Sequence, residues 1–211
     1  MTKYLITTTL LNSYQYYIQD EFKSPADSRA DFLKTLSKEK FVPNEAMAKG
    51  IQFEKDVFNA CEDDWQLNTV FDDSLNDKRD YCIFDISRIV KGGLWQQTCK
   101  KELQIGNKEF LLYGKMDVVK RDTVYDIKFT SKYELGKFLD SAQHLIYLYC
   151  TGLPKFQYLI SDGEDFWIED YYNHANIENE IKSKINDFLG YLENDKEAKE
   201  MFETKWGAKY E

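Results

Sequence analysis

The chain has 211 residues, 43% of them hydrophobic and 16% aromatic, with only three prolines and ten glycines. This excludes intrinsic disorder and collagen-like or linker-dominated chains, and no apolar run approaches the roughly 20 residues of a membrane helix. The net charge of −9 argues, taken globally, against a polyanionic partner.

In chain order, residues 1–64 read as helical. Thr7 to Gln19 mixes Leu and Tyr at helical spacing, with Thr8 or Thr9 as N-cap, and Pro25 and Pro43 punctuate the block. Asn44 caps a helix to Cys61, whose stripe reads Met47, Ile51, Glu54, Phe58, Cys61. Three strands follow, Leu94 to Ile105, Phe110 to Val119 and Thr123 to Thr130, joined at Gly106-Asn107 and Arg121-Asp122. Such short links predict an antiparallel meander. Ser141 to Thr151 is a helix ended by Gly152 and Pro154. Phe156 to Ile160 and Phe166 to Tyr172 are further strands, and Asn176 to about Thr204 is one long amphipathic helix or a pair. The expected class is α/β (α+β), one mixed sheet flanked by helices in one domain: residues 1–64 helical, 86–172 the sheet core, 174–211 a helical end.

Charge is unevenly spread. Residues 86–137 hold eleven Lys/Arg and six Asp/Glu, a net +5 against −14 elsewhere. The four cysteines, Cys61, Cys82, Cys99 and Cys150, form no CxxC pair and read as packed, reduced thiols. With no recognisable signal peptide, the expected compartment is the cytoplasm.

Four groups of residues carry chemistry. On the strand from Thr123, Tyr125, Ile127 and Phe129 share one face, and Val124, Asp126 and Lys128 the other. Asp126 and Lys128 alone would pass for a surface ion pair. Asp117 sits among Leu111, Leu112, Tyr113, Met116, Val118 and Val119, although Asp is disfavoured in strands. It lies nine residues before Asp126 across a tight turn, so a hairpin sets their strands side by side, in a register left open. Two close carboxylates repel unless protonated or bridged by a cation; the plain alternative pairs one with Lys115 or Lys128. Glu54 falls within an apolar stripe and needs a partner there; Lys49 or Lys55 would serve. Gln143 and Tyr147 share a helix face, as on any amphipathic helix. His144 between them points elsewhere and reads as structural.

In order and spacing, these residues resemble the PD-(D/E)xK nuclease superfamily, nearest its RecB-like and phage-type exonuclease branch. The motifs are Gly114-Lys115-Met116-Asp117, Asp126-Ile127-Lys128 and Gln143-His144-Leu145-Ile146-Tyr147. Gly50 to Glu54 is similar to the family's first motif helix, and the opening from Thr7 to Tyr14 to the branch's N-terminal helix.

The resemblance implies a restriction-endonuclease-like core and a Mg²⁺- or Mn²⁺-dependent deoxyribonuclease, above all a phage-recombination-type exonuclease acting on DNA ends. A structure-selective endonuclease and a catalytically weak nucleic-acid-binding module are the alternatives. It implies catalytic roles for Glu54, Asp117, Asp126 and Lys128. The metal would be held by Glu54, Asp117, Asp126 and the main-chain carbonyl of Ile127. Gln143 and Tyr147 would brace the site and touch the nucleic-acid strand. Trp95, Tyr125 or Tyr133 would be available for base stacking, and the basic island for phosphates. An iron–sulfur cluster is not expected. DNA is the implied partner, with a single-strand annealing protein and a homo-oligomer as further ones and no membrane. Two departures stand out: Asp126 where the family also allows Glu, and Glu54 where many members carry His.

Overall fold

The computed structural model describes residues 3–19, 23–40, 42–62 and 78–207. Residues 63–64 and 208–211, which the sequence assigns to its first and last helical blocks, lie outside them. Among the described residues the chain forms a six-stranded mixed sheet and seven helices. No helix among them is long and apolar enough to cross a membrane.

A short strand comes first: β1 (Lys3–Thr7) runs into α1 (Thr8–Gln19). The sequence reading has no strand here. The cap of α1 is also one residue earlier than expected, because Thr7 Oγ1 accepts from Leu10 N at 3.1 Å. Pro25 opens α2 (Pro25–Leu36), with Ser24 capping Asp27 N. Next come α3 (Glu45–Glu62) and α4 (Lys78–Val90). Residues 86–90 therefore close a helix, and the strands start at Leu94.

The antiparallel meander is present as β2 (Leu94–Ile105), β3 (Lys108–Lys120) and β4 (Thr123–Phe129). A helix, α5 (Ala142–Thr151), ends at Gly152, whose φ of 70° suits glycine. Then β5 (Lys155–Ser161) pairs parallel to β4, and β6 (Phe166–Tyr172) pairs antiparallel to β5. The C-terminal pattern resolves into two helices, α6 (Ile177–Asn194) and α7 (Lys196–Trp206). Asp195 separates them and caps α7 through Ala198 N.

The sheet forks. One edge of β3 is paired with β2 along nearly its whole length. Its other edge is shared: β1 takes residues 109–113 in parallel, and β4 takes 118–120. Between the two branches lies Gly114 to Asp117. The far edge of β2 has no strand partner among the described residues.

Two cores flank the sheet. Leu10, Phe32, Phe110, Phe156, Tyr158 and Phe188 lie in the larger one, which includes α1, α2, α5, α6 and α7. Phe53, Val57, Ile86, Ile127 and Leu159 lie in the smaller one, which includes α3 and α4. Each fully buried side chain of this size contributes about 1.5–3 kcal/mol.

The stripe on α3 is the main correction to the sequence reading. Met47, Ile51 and Phe58 are exposed, and the buried set is Phe53, Val57, Ala60 and Cys61. Both sets have helical spacing. The sheet chose the one with the tighter i, i+4, i+7, i+8 row, Phe53, Val57, Ala60 and Cys61.

Candidate active site

The site is built where two neighbouring strands change face together. Phe110, Leu112 and Met116 of β3 pack into the larger core, but Val118, of the same parity, packs into the smaller one. On β2, Cys99 and Leu103 belong to the larger core while Trp95 packs against the smaller one. The break falls at Gln96, with φ of 55°, opposite Asp117. Pairing is recorded on either side of these two residues but not between them. A polar residue at the break spares either core an unpaired carboxylate. The same break is why Asp117 sits amid apolar neighbours in sequence.

Asp117 lies one step beyond the last β3–β4 pair, Val118 with Tyr125. Its Oδ2 accepts from the main-chain N–H of Ile127 at 2.9 Å, replacing the missing ladder bond. This fixes the register that the sequence left open and brings Asp117 beside the Asp126–Lys128 tripeptide.

Asp126 faces the larger core with Val124 and Lys128, as the strand alternation predicts, and is only 1% exposed. Its Oδ1 accepts from Gln143 Nε2. Lys128 Nζ lies 2.6 Å from Oδ2, close enough for charge attraction but out of line for a hydrogen bond. Oδ2 is thus a buried carboxylate oxygen without a hydrogen-bond donor. The ammonium instead donates to Gln143 Oε1 at 3.1 Å. Glu54, half-buried on α3, approaches from the other side and accepts from Gln96 Nε2.

Electrostatics tie these groups together. Burial raises the Asp126 carboxyl above its ordinary range, against the opposing pull of Lys128 and Gln143. Burial, then repulsion from Asp126 and Glu54, raises Asp117 well above its own. Glu54 is raised by burial and by Asp126, with Lys128 and Lys115 opposing. Burial works against the Lys128 charge, but Asp126 and Asp117 outweigh it and keep the ammonium protonated. Three carboxyls therefore raise one another, with the Lys128 ammonium against Asp126 and Lys115 acting on Glu54. That is a deficit of positive charge.

Hard oxygen donors around such a deficit suit a divalent cation. Among the described residues, no three His, Cys, Asp or Glu side chains already converge as a metal-holding group. The side chains of Gln143 and Lys128 contact the Asp126 carboxylate. The donor chemistry, with a buried Asp126 Oδ2 that has no hydrogen-bond donor, nevertheless fits a hard cation.

Behind the site, Tyr147 is 1% exposed, with its ring against Gly114. A Cβ at Gly114 would lie 2.1 Å from Tyr147 Cε1, so the motif glycine is needed for close approach. Tyr147 is therefore buried behind the site, and the expected contact with a nucleic-acid strand has no exposed ring surface to use. Gln143 Nε2 reaches Tyr147 Oη at 3.4 Å, and that hydroxyl donates to Lys115 O. His144 stacks on Tyr171 with centroids 4.0 Å apart, and burial lowers its pKa to about 3.

The rings singled out for stacking are engaged elsewhere. Trp95 meets Phe58 edge-on, Tyr125 packs on the smaller core, and Tyr133 leans on Trp167 and donates to Glu169. The exposed ring beside the site is Tyr16 of α1, which the sequence reading passed over as part of an amphipathic helix. Of the basic island, Lys101 and Lys120 donate to main-chain carbonyls of Tyr149 and Ile89, and Lys132 pairs with Glu134. All four cysteines are free thiols, three of them buried.

No protein-family model and no curated protein sequence matches the chain. Among solved structures, it is similar to SSO0001, with a TM-score of 0.46 and 14% identity, over 90% of this chain and 77% of that one. It is also similar to LHK-Exo in complex with dAMP, with a TM-score of 0.46 and 12% identity, over 90% of this chain and 88% of that one. Rai1 from Scheffersomyces stipitis aligns with a TM-score of 0.34 and 16% identity, over 90% of this chain and 61% of that one. These are likenesses of outline, and the functional reading rests on the side chains.

Proposed function

We propose that this protein is a metal-dependent nuclease that hydrolyses DNA phosphodiester bonds, working as an exonuclease on DNA ends. One observation carries the reading: the buried Asp126 Oδ2 has no hydrogen-bond donor, with Lys128 Nζ 2.6 Å away and a second raised carboxyl on the adjacent strand. The motif resemblance supplies the nuclease assignment and the choice of DNA ends.

Glu54, Asp117 and Asp126, with the main-chain carbonyl of Ile127, would hold Mg²⁺ or Mn²⁺. Such a cation, when bound, polarises a phosphate and lowers the pKa of its water. Lys128 then stays charged and offers its ammonium to the negative charge that grows on the phosphate. Gln143 orients it by accepting from Nζ, and Tyr147 holds the far end of the same hydrogen-bonded row. In the family branch that the chain resembles, the partner to test is a single-strand annealing protein, with a homo-oligomer as the assembly.

The test is degradation of linear duplex, single-stranded and closed circular DNA with Mg²⁺, Mn²⁺ or EDTA. Loss of linear DNA alone, dependent on metal and reduced about a hundredfold or more in Asp126→Ala and Lys128→Ala, is expected. Cutting of circles would replace the exonuclease with an endonuclease. No cutting under any condition would leave a binding module.

A further inference from the structure

Beside the carboxylate group a cleft of about 370 Å³ opens between α1 and residues 128–143. Its volume falls in the range of small-ligand pockets, about 300–1,000 Å³. Lys128 and Gln143 form one end, so the cleft shares a wall with the candidate active site. The α1 side presents Gln15, Tyr16 and Gln19. Tyr16 is 70% exposed, and no described ring stacks on it. Gln15 and Gln19, four residues apart, lie on one face of the helix. Neither amide is hydrogen-bonded among the described residues.

Lys137 stands in the cleft wall, its ammonium held by Thr130 Oγ1 at 2.6 Å and the carbonyl of Lys132 at 2.8 Å. That wall is tied down from behind: buried Glu169 accepts from Tyr133 Oη at 2.7 Å and from Gly136 N at 3.0 Å. The cleft therefore has a fixed side, an aromatic face, two amides with donor and acceptor to spare, and the ammonium groups of Lys128 and Lys137 beside one carboxyl, Asp140.

That set matches a nucleotide rather than a phosphate alone. A side-chain amide pairs with the donor and acceptor edge of a base, an exposed ring stacks on its face, and a lysine meets phosphate. We infer that the cleft holds one unpaired nucleobase of the strand being cut, with Tyr16 on its face, Gln15 and Gln19 at its edge, and Lys137 at a phosphate. A base inside a duplex has its faces covered and its pairing edge used. The substrate consequently presents a single-stranded or frayed nucleotide next to the phosphate that is cut. The inference rests on the nuclease reading for the cutting and on the cleft for the base.

The experiment uses the full chain as wild type, Tyr16→Ala, Tyr16→Phe and the double variant Gln15→Ala/Gln19→Ala. Binding of a fluorescein-labelled single-stranded oligonucleotide is followed by anisotropy in EDTA, beside a strand of the same length built from abasic nucleotides. Cleavage of both strands is then measured with Mg²⁺. Tyr16→Ala is expected to weaken binding of the normal strand about tenfold. Tyr16→Phe should restore it, and removing both ring and bases should cost no more than removing either. Equal penalties on the two strands, or none on either, overturn the inference. So does a wild type that binds neither strand. Cleavage separates the two claims. A wild type that binds as expected yet cuts nothing retains the base cleft and loses the nuclease. A wild type that cuts while Tyr16→Ala matches it on both strands retains the nuclease and loses the cleft.

Discussion

The hydroxyl of Tyr147 donates to the main-chain carbonyl of Lys115 at 2.6 Å, inside the stretch of β3 that has a strand on one side only. The ring reaches it because Gly114 has no side chain. Tyr147→Phe leaves that carbonyl unpaired and should cost about 1–3 kcal/mol. Gly114→Ala overpacks against the ring and should cost about 2–3 kcal/mol. The two positions are one device, so Gly114→Ala should cost almost nothing once Tyr147 is already Ala. Urea denaturation of the wild type, Tyr147→Phe, Gly114→Ala, Tyr147→Ala and the Gly114→Ala/Tyr147→Ala double variant checks this, and additive penalties would refute it.

Metal-free stability should carry the mark of the carboxyl group. Asp117, Asp126 and Glu54 all titrate above their ordinary values. The folded chain then keeps protons that the unfolded chain releases above about pH 4. Stability from these groups is present at low pH and is lost as pH rises through their raised values. Asp117→Asn keeps an oxygen to accept from Ile127 N and removes the repulsion. In EDTA at pH 8 it should be more stable than wild type by about 1 kcal/mol, with a flatter pH profile. A thermal melt that shows Asp117→Asn less stable at every pH contradicts the prediction.

Divalent metal should reverse that cost. Mg²⁺ or Mn²⁺ at a hundred times its dissociation constant should stabilise the wild type by about 2.7 kcal/mol by mass action, and EDTA should remove the gain. Asp126→Ala should not respond. Because the raised carboxyls must give up protons first, affinity should increase with pH. Titration calorimetry in two buffers of different ionisation heat counts the protons released. Identical heats in both buffers would mean that the carboxyls were already ionised.

His144 should act with the opposite sign. It is buried and stays neutral down to about pH 3. Below pH 6.5 the unfolded chain takes up a proton that the folded chain refuses, so stability falls on acidification. His144→Phe retains a ring to stack on Tyr171. It should remove up to about 3 kcal/mol of acid destabilisation by pH 4. Urea midpoints between pH 4 and 7 are the measurement, and an unchanged slope would show that His144 is not the acid-sensitive group.

Much of the site was legible because it depends on local periodicity. Period-two alternation placed Asp126 with Lys128 on one face and Ile127 on the other. Helical spacing put Gln143 and Tyr147 in line, and Gly152 marked the end of their helix. What stayed hidden depends on tertiary contacts. Gln96 at a φ of 55° has no sequence signature, since few non-glycine residues adopt it, so the face change at Asp117 could not be read. On α3 two helical stripes compete, and only the sheet beneath selects Phe53 over Ile51. Five residues of β1 run straight into a Thr-capped helix and give too short a pattern to separate. Tyr16 owes its place to the segment after β4, which faces it across the cleft and lies more than a hundred residues away in sequence.

The edge of β2 that has no strand partner among the described residues has a colloidal consequence. Twelve residues of strand offer main-chain groups to any extended chain, the usual starting point of edge-to-edge aggregation. Here the strand carries Lys100 and Lys101 against one acid, Glu102, a net positive edge, while the kink at Gln96 spoils its straightness. Like charges on two copies meeting edge to edge would hold them apart, as far as the Debye length allows. That length shrinks from about 10 Å at 0.1 M salt to about 3 Å at 1 M. This protein should therefore keep best in dilute salt, and concentrated brine is the storage condition most apt to bring its strands together.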